Sequence, residues 1–418
     1  MPLEGHPDAG ALEATARPRV LFVDDEQELL DGLRLLLHRL RRRWDVRFAV
    51  GGSAALALLA QEPFDIVVTD MRMPVMDGAE LLDQVRRLHP SVTRLVLSGH
   101  CDDATGRRAA RVAHQWLAKP CEPGQLVAAL ERARVTRELL CSDALKRHVA
   151  GITRLPAPDP LIVELTELLA DATVDAGAVA ELVSRDSALT ARVLQLSNSA
   201  FFGPTQSIED LHEAVMRLGL ATLAELVVEG ELVGRLEPPL AGFSLDEHAA
   251  RARIVGRVAG ALLRGRPEAR AAALAGLLST IGRLVLAHSA LAEFASVAAA
   301  AAANAAPLTQ LELGAFGVRQ EVVGAALLAS WGIPAHVTDL VLHSADPGPT
   351  QPTGLDALVA LHLACGLTDE ALGGLQGPAL DRALLARLGL EAQVSAWQAL
   401  AADCVAEERR RAQARRAA

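Results

Sequence analysis

The chain has 418 residues and a formal net charge of −10, and it is 51% hydrophobic but only 3% aromatic, with no Tyr. That length accommodates two or three domains with separate cores, the Ala-, Leu- and Val-based hydropathy points to packed helices, and the negative charge argues against general nucleic-acid binding. The apolar region 271–308 carries Arg283, His288 and Glu293, which leaves no run of about 18 uncharged apolar residues to span a membrane.

Five scattered cysteines, Cys101, Cys121, Cys141, Cys365 and Cys404, fit free thiols in a reducing, cytoplasmic setting. Residues 1–17 carry acidic groups and no apolar core, the pattern of a disordered leader rather than a signal peptide. From 18 to 135, short apolar runs alternate with helix-period segments. Strands are predicted at 20–23, 46–49, 66–69, 95–97 and 115–118. Helices are predicted at 26–41, 53–61, 79–88 and 103–113, with a longer one from 122 onward. Five βα units imply an α/β, doubly wound, five-stranded parallel sheet covered on both faces. Polar groups stand where the first, third, fourth and fifth strands end: Asp24 and Asp25, Asp70, Ser98 and Lys119. Ligands of open α/β sheets bind beyond that edge.

Three crowded carboxylates repel one another unless a cation sits among them. Mg²⁺ suits such a place, because it takes a few carboxylate or carbonyl oxygens and keeps several waters. One carboxylate can then attack a phosphoryl donor, while the Ser98 hydroxyl and the Lys119 ammonium receive the other phosphoryl oxygens. Taken singly, each Asp reads more simply as a helix cap and Lys119 as a surface charge. As an ordered set, the acidic pair, Asp70 with Met73-Pro74 and Asp77-Gly78, Ser98-Gly99 and Lys119-Pro120 resemble the receiver domain of bacterial two-component response regulators. The resemblance covers 18–135 and implies a flavodoxin-like fold in which Asp70 is the phospho-acceptor. It implies Asp25, Asp70 and the backbone carbonyl of Arg72 as direct Mg²⁺ ligands, with Asp24 acting mainly through water. Ser98 and Lys119 would contact the phosphoryl group, and Arg72 and His100 would tune its lifetime. Trp116 takes the switch-aromatic position, a static core residue being the other reading. The implied partner is a sensor histidine kinase.

The helix from 122 meets no breaker until Gly151, roughly 28 residues or about 40 Å. Its second half, 136–154, reads as a helical linker. Leu126, Leu130, Ala133, Leu140 and Ala144 form a 3-4 seam that phosphorylation at Asp70 could shift between two packings. The Pro-rich stretch 155–160 ends it. Everything after reads helical, with segments at 160–171, 175–185, 187–198, 210–218, 220–235, 245–264, 268–288 and 290–303. Further helices are predicted at 307–316, 319–330, 334–343, 353–366, 380–388 and 391–412. The basic run Arg409-Arg410-Arg411 reads as a solvated helix end favoured by the dipole rather than a nucleic-acid arm.

Arg185-Asp-Ser-Ala-Leu-Thr-Ala-Arg192, Leu196-Ser-Asn-Ser-Ala-Phe-Phe-Gly203, Ala214-Val-Met-Arg-Leu-Gly219, Leu277-Leu-Ser-Thr-Ile-Gly282 and Trp331-Gly-Ile-Pro334 resemble the HDOD domain. The expected bounds are 155–350, followed by a helical extension over 351–418. The HDOD family is related to the HD phosphohydrolases and generally lacks their activity, which implies a signalling or scaffolding output with a downstream protein partner. Ser279-Thr280 stand where the HD pair is expected, and Gln320 where the next His is expected. His248 and His343 remain in plausible ligand positions, so the alternative is a degenerate metal-dependent phosphodiesterase. The Gly-Tyr-Pro signature of the cyclic-dinucleotide-hydrolysing branch needs a Tyr that the chain lacks. Asn198 and Phe201-Phe202 read either as a partner-docking pair or as a helix-end cap with core aromatics. The expectation is a response regulator with no enzymatic activity beyond its own aspartyl phosphorylation and dephosphorylation.

Overall fold

The structure is a computed structural model that describes residues 17–38, 43–98, 112–119, 124, 126–127, 129–131, 133, 143–149, 152–171, 173–198, 208–228, 230, 232–234, 243–304, 308–374 and 380–417. Its first half is a five-stranded parallel sheet in the order β2-β1-β3-β4-β5. The strands are β1 (Arg19–Asp24), β2 (Asp45–Val50), β3 (Ile66–Thr69), β4 (Thr93–Ser98) and β5 (Gln115–Ala118). Between them lie helices α1 (Gln27–Leu37), α2 (Gly52–Gln61) and α3 (Gly78–Leu88). The expected helix at 103–113 and the seam residue Leu140 fall outside the described residues.

Side chains alternate across a strand, and both faces here are apolar. Leu21, Val23, Val67 and Val96 enter one core cluster with Leu81, Leu82 and Val85 of α3. Val20, Phe22, Ile66, Val68 and Leu95 enter the other with Leu30 of α1 and with Leu126, Leu130 and Ala133. The sheet is thus sealed on both faces, and only its edges are available for chemistry.

The second half is helical and shares one core that reaches from Leu145 to Val405. Helix Asp143–Val149 belongs to it: Leu145, Val149 and then Ile152 are buried there, and His148 Nδ1 lies 2.9 Å from Ser289 Oγ. The second part of the expected linker therefore packs as part of the helical domain. Helix Val394–Ala417 returns to the same core through Ala401, Cys404 and Val405. It is held by ion pairs from Arg253 to Glu408 and from Arg257 to Glu407.

One expected helix, 268–288, is two. Ala269–Leu278 ends at Ser279, and Ile281–Ser289 begins after Thr280 (φ −104°, ψ 3°). Ser279 Oγ donates to the Gly276 carbonyl at 2.8 Å, and Thr280 Oγ1 turns to His248 Nε2 at 3.2 Å. Short hydroxyl side chains that bond locally compete with the helical ladder, and two in succession interrupt it here. The helix expected at 220–235 stops at Val228, with Gly230 at positive φ. That expected at 353–366 runs instead from Ala357, capped by Asp356 on the Val359 amide, to Leu372.

Helices Ile281–Ser289 and Gln320–Ser330 cross at Gly282, where an added Cβ would overlap the carbonyl oxygen of Gln320. The obstacle is backbone, so the helices themselves would have to separate. Gly282→Ala is expected to destabilise the helical domain by about 1–3 kcal/mol, read as a lower denaturant midpoint. An unchanged midpoint would mean that this crossing does not limit the packing.

Candidate functional site

Hydrogen-bond register brings two carboxylates together at the sheet's C-terminal edge. β1 pairs with β3 as Val20↔Ile66 through Val23↔Thr69, so the residues that follow, Asp24 and Asp70, are neighbours. The amide of Asp70 continues the ladder by donating to Val23 O at 2.8 Å. The strand order reverses between β1 and β3, which is the switch point where ligands of open sheets bind. On the other side, Ser98 pairs with Ala118, which places Lys119 one step beyond.

Lys119 Nζ lies 2.7 Å from Asp24 Oδ2 and 2.5 Å from Asp70 Oδ1. Both carboxylates are buried, and Asp25 beside them is half-buried. Burial pushes the Asp70 pKa up against the opposing pull of Lys119, and the Asp24 charge adds to the rise. For Lys119, desolvation favours the neutral amine, but the hydrogen bonds and charges of Asp24 and Asp70 outweigh it and raise its pKa. The ammonium is therefore secured by the pair it separates.

The loop after β3 holds the Asp70 carboxylate in place. Its Oδ2 accepts from the Arg72 amide at 2.6 Å, and Thr69 Oγ1 donates to the Asp70 carbonyl at 2.9 Å. Met76 N donates to Pro74 O at 2.8 Å across Val75, whose φ is 70°. A β-branched residue rarely adopts that conformation, and such local strain typically costs about 1–3 kcal/mol. Asp77 then caps α3 on the Glu80 amide, and Gly78 packs so closely that a Cβ would overlap the Asp70 carbonyl. Trp116 and Ser98 lie on β5 and β4, but their side chains fall outside the described part of the structure, as does the whole of His100.

In the helical domain His248 is buried, and desolvation, then the Arg283 and Arg251 charges, push its pKa down to about 3. His343 is partly exposed. Among the described residues, no three His, Cys, Asp or Glu side chains gather in a way that could hold a metal ion. The interior around Ser279 and Thr280 is instead ionic. Arg283 Nε lies 2.7 Å from Glu312 Oε1, and Arg251 Nη2 lies 2.9 Å from Asp369 Oδ1, all four residues being buried. Gln320 Nε2 donates to Ser279 O at 3.1 Å and to Glu321 Oε1 at 2.8 Å. The motif reading passed over this network. Its one sequence signal was Arg283 itself, a charge inside the most apolar stretch of the chain.

Asn198 ends its helix and clamps Ile208, accepting from the Ile208 amide at 2.6 Å and donating to its carbonyl at 2.9 Å. The structural reading of Asn198 therefore has a definite geometry, whereas Phe201 and Phe202 lie outside the described residues. Among the described residues, the apolar stretch Ala269–Ser289 is long enough to cross a membrane by length and composition, but most of it is buried inside the protein.

The family model of the response regulator receiver domain matches residues 20–131, and that of the HDOD domain matches residues 155–347. A response regulator receiver protein of Anaeromyxobacter sp. is 42% identical over 88 residues, 21% of this chain and 36% of that protein. The response regulator protein PilR of Pseudomonas aeruginosa is 31% identical over 159 residues, 34% of this chain and 35% of PilR. The chain thus spans about a third of the length of these curated relatives. The MmoQ response regulator structure from Methylococcus capsulatus is 24% identical, covering 59% of this chain and 98% of that one with a TM-score of 0.46. The signal receiver domain of an HD domain-containing protein from Pseudomonas fluorescens is 32% identical over 29% of this chain and 98% of that one, with a TM-score of 0.28.

The motif residue Asp186 caps helix Ser187–Ser197 on the Leu189 amide at 2.9 Å. Burial raises its pKa to about 6 despite the amides and the nearby Arg253. The folded state therefore binds this proton more tightly than the unfolded chain does. Its contribution to stability is full below the ordinary aspartate range and declines as pH rises to about 6. Asp186→Asn keeps a competent cap, and its stability is expected to gain on that of the wild type by on the order of 2 kcal/mol between about pH 4 and 7 in denaturant titrations. An unchanged difference across that range would assign the pH dependence to other groups.

Proposed function

Since a chain with a response regulator receiver domain followed by an HDOD domain is a response regulator, we propose that it is switched by phosphorylation of Asp70 and acts through a non-catalytic helical output. The observation that carries this reading is the Lys119 ammonium held between Asp24 and Asp70 at the sheet's switch point. The Asp70 carboxylate is the nucleophile toward the phosphoryl group of a sensor histidine kinase or a small phosphodonor. Lys119 and the Ser98 hydroxyl receive the phosphoryl oxygens, and Trp116 on the adjoining strand reports the change.

Three carboxylates around one ammonium leave two uncompensated negative charges, and an all-oxygen donor set with that deficit fits Mg²⁺. Asp25, Asp70 and the Arg72 carbonyl would hold the ion, with Asp24 acting through water, and the ion would neutralise charge on the transferring group. The chain's own part is to present Asp70 in one orientation. The Arg72 amide and the Gly78 backbone contact do that.

Support for a scaffolding output comes from the filled interior around His248, where guanidinium groups pair with Glu312 and Asp369. The partner of the helical domain is a downstream protein.

Two outcomes are expected. With a small phosphodonor and Mg²⁺, intact-mass measurement of the wild type should show one added phosphoryl group, absent in Asp70→Asn and strongly reduced by chelator or in Asp25→Asn. Equal labelling of wild type and Asp70→Asn would sink the assignment. The full chain should also show no metal-dependent turnover of phosphodiesters, including cyclic dinucleotides; turnover abolished by His248→Ala would restore the phosphodiesterase reading.

A further inference from the structure

Lys119 reaches the two carboxylates from the end of a four-residue strand, β5, which lies at the edge of the sheet and pairs with β4 alone. So short an edge pairing specifies its register weakly. A slip by one residue would carry Lys119 about 3.3 Å along the strand and turn its side chain to the other face. The site therefore depends on whatever holds the start of β5.

The residue just before the strand, His114, is tied to Arg94 of β4. The His114 amide donates to the Arg94 carbonyl at 2.8 Å, and the Arg94 amide donates to His114 Nδ1 at 3.0 Å. Arg94 Nη2 lies 2.9 Å from His114 Nε2. Arg94 is itself wholly buried, its Nε donating to the Val112 carbonyl at 2.7 Å and its Nη1 to the Val92 carbonyl at 3.1 Å. One guanidinium thus joins the chain entering β4 to the chain entering β5, a single rung before Leu95 pairs with Gln115.

We propose that Arg94 and His114 are positioning residues, which set the register of β5 and so hold Lys119 between Asp24 and Asp70. The catalytic half of this inference rests on the reading of Asp70 as phospho-acceptor; the register half does not. His114 serves here as a neutral ring. Both of its nitrogens face N–H groups of Arg94, so each proton on the ring sets donor against donor, and the imidazolium does so twice. Desolvation, foremost, and then the Arg94 charge hold its pKa well below the ordinary histidine range. Burial, with Arg86 adding, pushes Arg94 down to about 9, which leaves it charged at neutral pH. The groups of α3 that Arg94 feels, Arg86 and Asp83, are paired with each other at 2.7 Å. The sign follows from a folded pKa below the unfolded one. The ring's contribution is full above the ordinary histidine range and is lost as pH falls below it, by at most about tenfold per pH unit.

The test follows the full chain by two measurements. In hydrogen exchange, protection of amides 115–118 in the wild type should fall relative to His114→Asn, by up to about tenfold per pH unit, between about pH 7 and 5. Asparagine keeps an acceptor where Nδ1 stands and does not titrate. Equal pH dependence in the two proteins would overturn the proposal. In labelling of Asp70 by a small phosphodonor, His114→Leu should slow the rate about tenfold, since small displacements of a catalytic group suffice for that. The Mg²⁺ dependence should stay unchanged, because the carboxylates assigned to the ion follow β1 and β3, and His114→Asn should restore the rate. A wild-type rate in His114→Leu would overturn the positioning role, as would loss of rate and Mg²⁺ dependence together, the mark of a loosened fold. If the wild type takes no label, the phospho-acceptor reading fails and the exchange comparison still decides the register. Should His114→Leu not fold, exchange in the wild type and His114→Asn decides alone.

Discussion

The parallel ladder between β1 and β3 is the constraint on which the receiver half depends. Its register leaves Asp24 and Asp70 side by side once the strands stop pairing, at the point where the strand order reverses. Two carboxylates so placed and so buried need a counter-charge, and β5 delivers Lys119 to supply it. Each of these residues comes from a different strand. No segment of the chain could form the pocket alone, and its geometry is as rigid as the sheet that carries it.

The two halves of the molecule meet the same physical problem, clustered carboxylates in a low-dielectric place, and answer it differently. In the receiver the counter-charge is a Lys side chain, about a fifth exposed, at an edge that solvent and ligands can reach. Lys is a point charge on a flexible stem and can be shared or displaced. In the helical domain the counter-charges are guanidiniums, and both Arg283 and Glu312 are almost wholly inside. Arg holds its charge and fixes its partners in plane, which suits an interior that stays closed. The open pocket is suited to chemistry, and the sealed one to holding helices in register.

The helical domain also extends past its motifs. Helix Asp143–Val149 on one side and helix Val394–Ala417 on the other are built into the same core as the segments between them. Arg251 reaches Asp369, and Arg253 reaches Glu408, so late helices complete the surroundings of early ones.

By itself the sequence determined the βα alternation, the strands to within a residue or two and the residues at the sheet edge, because period-2 and period-3.6 patterns and strand-terminal polar residues are local signals. It also determined nearly every helix of the second half, where apolar stripes and caps such as Asp186 and Asp356 are written in a few consecutive residues. Only the tertiary structure decided that 268–288 is broken, since Thr280 leaves the helix for His248, thirty-two residues away. Only it decided that Lys119 sits between Asp24 and Asp70, and that Arg283 closes on Glu312. Those pairings depend on which helices and strands lie side by side, and a charge within one segment carries no mark of the partner that burial will force upon it.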